Sequence, residues 1–186
     1  MGSHNILIEY INKDKNIKYK NVIEIGTTRE ITSQLDSSSK FYLLSKDKQF
    51  NFITVDMDPE NTKNIKSRYP DINALCCKGE DFLQKYPDTV DYLYLDAFDF
   101  YHNGHSKERQ ESYRKNLGCE IATDDKLCHQ MHLECCQNVI DKMPSKSIIV
   151  IDDVIDDKRG KGVTAIPFLL SNGFSLIQSN FTFQKD

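Results

Sequence analysis

Short apolar, β-branched runs recur along the chain at intervals that fit alternating strands and helices. Residues 22–25, 52–55, 72–76, 90–95 and 147–151 carry few polar interruptions, the pattern of strands buried on both faces. Between them the polar pattern loosens to helical spacing. Ser37, Ser38 and Ser39 offer N-cap oxygens to a short amphipathic helix through Phe41, Leu43 and Leu44. Pro59 suits the first turn of a helix that carries Ile65 and ends near Tyr69-Pro70. Further helices are expected over 79–86, over 126–143 with Leu127, Met131, Cys135 and Val139 on its apolar face, and over 163–170, where Pro167 should kink or shorten the helix. Residues 174–178 and 181–184 read as a terminal hairpin. Strands alternating with helices predict an α/β fold built on a parallel sheet.

The strand ends carry the chemistry. The first strand ends at Gly26 and the second at Asp56, and ligands of open α/β sheets sit outside the carboxyl ends of the strands. Two such ends within about one βαβ unit suggest a nucleoside site. After the fourth strand, residues 97–125 are polar and aromatic, with His102, Gly104, His105, Tyr113 and Gly118. This connection exceeds an ordinary βα loop and reads as a binding lid, with a charged helix expected over 106–117.

At 186 residues, 39% hydrophobic and 28% charged, the chain is expected to form one domain over 1–186, long enough to bury roughly 70% of its unfolded surface. No apolar stretch approaches the ~20 residues that span a bilayer, so a cytoplasmic protein with no membrane partner is expected. A net charge of −4 argues against a nucleic-acid surface, which needs a local excess of Lys and Arg. Lys13, Lys15, Lys18 and Lys20 form either a local basic patch or an ordinary solvated segment. Of six cysteines, Cys76-Cys77 and Cys135-Cys136 are adjacent pairs and none forms Cys-x-x-Cys, so buried apolar thiols are expected instead of a zinc or disulfide framework.

Taken in order, Val22-Ile23-Glu24-Ile25-Gly26, Val55-Asp56-Met57-Asp58-Pro59, Lys78-Gly79-Glu80-Asp81, Asp91-Tyr92-Leu93-Tyr94-Leu95-Asp96 and Val150-Ile151-Asp152-Asp153 resemble the class I S-adenosylmethionine-dependent methyltransferases. The resemblance implies a three-layer Rossmann-like sheet, mostly parallel, with an antiparallel C-terminal hairpin strand. It also implies a cofactor set. Gly26 and Thr27 would lie beneath S-adenosylmethionine, Asp56 (or less readily Asp58) would accept the ribose hydroxyls, and Glu80 or Asp81 would accept from the adenine amino group. Glu24, Ser38 and Asp96 complete that set. The first loop carries only one glycine where the family has several. Either Thr and Ser hydroxyls near Ser37 and Ser38 hold the methionine end, or the cofactor site is degraded. The family's helical cap is missing or minimal, since only residues 5–20 precede the first strand.

Asp96, Asp152 and Asp153 stand at the ends of adjacent strands, where hard oxygen donors suit Mg²⁺, Mn²⁺ or Ca²⁺. They resemble the acidic triad of metal-dependent small-molecule O-methyltransferases, in which the ion binds the acceptor hydroxyls. His129 and His132, three apart on a helix, share a face and with Asp96 make the candidate catalytic group, as general base or softer metal ligands. The expectation is therefore a methyltransferase acting at an oxygen of a small-molecule acceptor. Two alternatives stay open: a catalytically degenerate binding module, and a metal-dependent hydrolase built from Asp96, Asp99, His129, His132 and Asp152. Oligomeric state is left open, a homo-oligomer included.

Overall fold

Seven strands form one sheet in the order β3-β2-β1-β4-β5-β7-β6. They are β1 (Asn21–Ile25), β2 (Asn51–Asp56), β3 (Ala74–Cys76), β4 (Tyr92–Leu95), β5 (Ile148–Ile151), β6 (Phe174–Gln178) and β7 (Thr182–Lys185). The structure is a computed structural model and describes residues 2–29, 36–101, 104–118, 125–156, 158–178 and 182–186. Strands β1 to β5 run parallel, while β7 lies antiparallel between β5 and β6. This is the three-layer, mostly parallel architecture expected from the sequence.

Alternation along the strands sorts the core into two layers. Val22, Phe52, Tyr92, Tyr94, Ile148 and Val150 pack against α1 (His4–Lys13), α2 (Ser37–Lys48) and α3 (Pro59–Arg68). Their neighbours Ile23, Ile53, Leu93 and Ile149 pack against α4 (Gly79–Lys85), α6 (Asp125–Val139) and α7 (Ala165–Ser171). Each fully buried Ile, Leu or Val contributes roughly 1.5–3 kcal/mol of transfer free energy. The remaining helix, α5 (Lys107–Leu117), lies in the connection after β4 and buries none of its described side chains.

Several local expectations are corrected. The segment before β1 is a ten-residue helix, because Leu7 and Ile11, one turn apart, are fully buried with Ile6 beside them. Asp36 caps α2, its carboxylate accepting from the Ser39 N–H at 2.8 Å, so the three serines occupy the first turn instead. Around Pro167, α7 begins later than the expected residue 163. The helix starts at Ala165, which puts proline in the first turn, where its missing N–H has no intrahelical acceptor to lose. Cys128, Cys135 and Cys136 are buried free thiols, whereas Cys76 is exposed and Cys77 half-buried. No helix among the described residues is long and apolar enough to cross a membrane. His102, Phe181 and residues 30–35 of the first loop lie outside the described residues.

Candidate functional site

The carboxyl ends of β1, β2 and β4 open into a cavity of about 860 Å³. Gly26 makes that convergence possible. Its N–H donates to the Val55 carbonyl at 2.8 Å, while the Asp96 N–H donates to the Ile25 carbonyl at 2.8 Å. Gly26 has φ +104°, and a Cβ there would lie 2.5 Å from the Asp96 carbonyl carbon. Only a residue without a side chain lets the β1 end lie this close to the β4 end.

Asp56 closes β2 and lines the cavity. The Asp58 N–H donates to its Oδ1 at 2.7 Å and the Asn61 side-chain amide to its Oδ2 at 3.1 Å. Burial pushes its pKa up to about 6, against those two hydrogen bonds. Across the cavity, Glu80 sits in the first turn of α4, and burial raises its pKa as well. Thr27, Asp58 and Asp96 complete this part of the wall. Asp81 is exposed and lies off the cavity.

Glu24 and Ser38 do not reach the cavity. Glu24 projects with Val22 toward the α2 layer and is fully buried, accepting from Ser37 Oγ at 2.6 Å, Ser38 Oγ at 2.6 Å and Thr54 Oγ1 at 2.7 Å. Burial drives its pKa up to about 7 although all three hydroxyls pull it down. The Thr28 N–H donates to Ser38 Oγ at 2.9 Å, and the Thr27 and Thr54 hydroxyls are 2.7 Å apart. The glycine-poor loop is therefore braced by hydroxyls around one buried carboxylate. Those hydroxyls hold the loop to α2, and only Thr27 among them also borders the cavity with Thr28.

Over the other side lies α5, which begins at its Ser106 cap and ends at Gly118 in the left-handed conformation. Arg109 donates to both carboxylate oxygens of Asp99, and Arg29 donates to Oδ2 at 3.1 Å. The Tyr113 hydroxyl accepts from the Asp99 N–H and donates to the same carboxylate at 3.2 Å, with its ring edge-on to Phe98 at 5.0 Å. Ser112 Oγ donates to Asp58 at 2.6 Å. Burial alone would raise the Asp99 pKa, but Arg29 and Arg109 hold it down at about 2. None of the described side chains of α5 is fully buried, and this polar latch is one of the contacts that dock it. Arg109→Ala should accelerate amide exchange in α5 about ten- to a hundredfold while the sheet keeps its protection. Hydrogen exchange read by mass spectrometry checks this, and unchanged α5 rates would rule the latch out.

No protein-family model matches the sequence, and no curated protein does. Solved structures do match. TrmN from Thermus thermophilus aligns at TM-score 0.55 and 11% identity over 98% of this chain and 48% of its own. A TehB-like SAM-dependent methyltransferase from Corynebacterium glutamicum aligns at 0.54 and 11%, over 99% of this chain and 85% of its own. An rRNA methylase from Streptococcus thermophilus aligns at 0.50 and 12%, over 98% and 94%. The chain has the class I S-adenosylmethionine-dependent methyltransferase fold. It spans about half the length of TrmN and of several other matched chains.

Within this methyltransferase fold the expected metal triad does not assemble. Lys161, 2% exposed along its side chain, places Nζ 2.6 Å from Asp96 Oδ1 and 3.0 Å from Asp153 Oδ2. Asp152 turns to the α1 side and accepts from the Tyr94 hydroxyl at 2.8 Å and from the Ser3 hydroxyl. Among the described residues no group of three His, Cys, Asp or Glu side chains could hold an ion. A divalent cation sharing the Asp96 and Asp153 oxygens would stand within about 4 Å of the ammonium, a repulsion of roughly 8 kcal/mol at an effective dielectric of ~20. The donor set does not fit a metal.

The two histidines are also corrected. His129 donates from Nε2 to the Gly160 carbonyl at 3.0 Å and thus braces the loop after β5. His132 is fully buried, with Nδ1 donating to the Cys128 carbonyl at 2.8 Å and burial lowering its pKa to about 3. Neither lines the cavity. Of the hydrolase candidates, Asp96, Asp99 and Asp152 each have separate partners, so the five side chains do not converge. Lys161 and the Asp99 latch were missed in the sequence. Lys161 stands in Lys158-Arg159-Gly160-Lys161-Gly162, a run that reads as a solvated turn, and nothing local separates it from Lys158 or Arg159. For Glu24 a signal existed: it alternates with Ile23 and Ile25, which points it into the helix layer.

Proposed function

We propose that this chain is an S-adenosylmethionine-dependent methyltransferase acting on a small molecule, at an oxygen. The observation that carries the reading is the grouping of Gly26, Asp56, Glu80 and Asp96 around one cavity at the carboxyl ends of parallel strands. The residues fit the cofactor chemically. Asp56 is a half-buried acceptor suited to a pair of ribose hydroxyls, Glu80 suits an amino group, and the bare backbone at Gly26 admits close approach. When bound, the cofactor supplies a methyl group already activated on a sulfonium.

The protein's share is then binding, orientation and exclusion of water. Asp96 borders the cavity and, with a pKa near 6 set by burial against the pull of Lys161, is ionised at neutral pH. It is the group placed to accept a hydrogen bond from an acceptor hydroxyl. The docked α5 narrows access, and the latch through Asp99 gives it a way to open and close. The acidic net charge and this covered cavity both favour a small acceptor over a nucleic acid.

Calorimetric titration with S-adenosylmethionine tests the reading. Wild-type protein should bind, and Asp56→Ala should weaken binding at least about a hundredfold, since two hydrogen bonds to a charged group contribute about 1.5–3 kcal/mol each. Heat absent from the wild-type titration would favour a binding module for another ligand. That second reading draws on the Thr28 N–H, which Ser38 already occupies.

A further inference from the structure

We propose that Lys161 is the resident cation of this site, an ammonium fixed between the ends of β4 and β5 that holds Asp96 toward the acceptor in the place a divalent ion would take. The inference deepens the reading above, because it takes the Asp96 corner of the cavity as the acceptor's corner. Three features of the structure carry it.

The first is the ion pair itself. Lys161 bridges two carboxylates from different positions in the fold, Asp96 after β4 and Asp153 after β5, and is almost wholly buried. An isolated buried ammonium would be strongly disfavoured, and two carboxylates side by side would repel; the trio resolves both conditions.

The second is the loop that delivers the side chain. Val154 pairs with Gly160 in an antiparallel bridge, so the segment after β5 folds back on itself. Asp153 takes φ +49° and its carbonyl accepts from the Lys161 N–H at 3.2 Å. Gly160 has φ +92°, and a Cβ there would meet the Asp153 carbonyl oxygen at 2.2 Å. His129 fastens the Gly160 carbonyl from α6. A non-glycine residue in the left-handed region, a required glycine and an inter-element hydrogen bond all converge on the placement of one amine.

The third is the fate of the other groups that a metal would recruit. Asp152 is engaged with Tyr94 and Ser3 on the opposite side of the sheet. His132 is kept neutral by burial, with Lys161 adding to that effect, so this histidine adds no second positive charge beside the ammonium. Asp96 alone of the three carboxylates borders the cavity while bonded to the ammonium. Lys161 does not line the cavity, so it acts through Asp96 as a positioning residue.

Manganese(II) provides the probe, followed by the loss of its free-ion electron paramagnetic resonance signal and measured without cofactor. Wild-type protein should leave the signal intact. Lys161→Ala should bind one ion, with the binding lost again in Lys161→Ala/Asp96→Asn, and the added ion should raise the melting temperature of the single variant only. Lys161→Gln, which keeps most of the side-chain volume, takes its place if the alanine variant does not fold. Saturable binding by the wild type that disappears in Asp96→Asn overturns the proposal. So does a folded Lys161 variant that gains no Mn²⁺ site, because the position would then not be a cation's place. Absence of S-adenosylmethionine binding in the calorimetric titration would instead defeat the functional reading and leave the Mn²⁺ result standing.

Discussion

Gly26→Ala should destabilise the protein by roughly 3–5 kcal/mol, a large part of the ~5–15 kcal/mol that holds a domain of ordinary stability. Two costs combine. At φ +104° an alanine is in backbone territory that L side chains rarely adopt, which costs about 1–2 kcal/mol. The new Cβ would also lie 2.5 Å from both the carbonyl carbon and oxygen of Asp96 and 2.6 Å from the Ala97 nitrogen. Those contacts are with backbone, so no rotamer change relieves them, and the ends of β1 and β4 must separate. The Gly26–Val55 and Asp96–Ile25 hydrogen bonds that set the cavity floor would lengthen with them. Urea unfolding of the two proteins measures the loss. A difference below about 1 kcal/mol would show that the strand ends can part freely, contrary to this account.

Glu24 predicts a pH effect of similar size. Its pKa rises from 4.5 to about 7 on burial, so the folded state holds a proton that the unfolded chain releases. The sign follows from linkage: stability from this group is fully present below pH 4.5 and is lost as pH rises through about 7, because ionising the buried carboxyl is harder than ionising the exposed one. That rise corresponds to roughly 3 kcal/mol. Glu24→Gln carries no such titration, so the stability difference, wild type minus variant, should fall by that amount between pH 4.5 and 8. Taking the difference removes Asp56, Asp96 and Asp99, which titrate in both proteins. Thermal unfolding at several pH values measures it. A difference independent of pH would mean that Ser37, Ser38 and Thr54 compensate burial fully and Glu24 is ionised throughout.

The physics of local periodicity explains what could be read in advance. Val22–Ile25 and its counterparts are apolar on both faces because both faces are covered, and that property is visible in a single strand. The ends of those strands are equally visible, which is why Gly26, Asp56 and Asp96 stand out in the sequence, whereas Glu80, with Asp81 as its equal, came only from the family resemblance. Helix ends were read less well, since the Asp36 cap competed with three neighbouring serines and only the folded geometry selected it. Asp152 and Asp153 show the limit more sharply. Adjacent residues at a strand end point to different sides of the sheet, so one joined Tyr94 and the other Lys161.

The sequence by itself determined the alternation of strands and helices, the crevice at the strand ends and the carboxylates beside it, because each depends on residues close in the chain. Only the tertiary structure decided which carboxylates face the cavity and what neutralises them. Asp96 meets an amine 65 residues away, Asp99 pairs with Arg29 70 residues back, and Glu24 is enclosed by hydroxyls from α2 and β2. A charge at a strand tip is set by whatever side chain a distant loop brings within a few ångströms, and no local pattern encodes that partner.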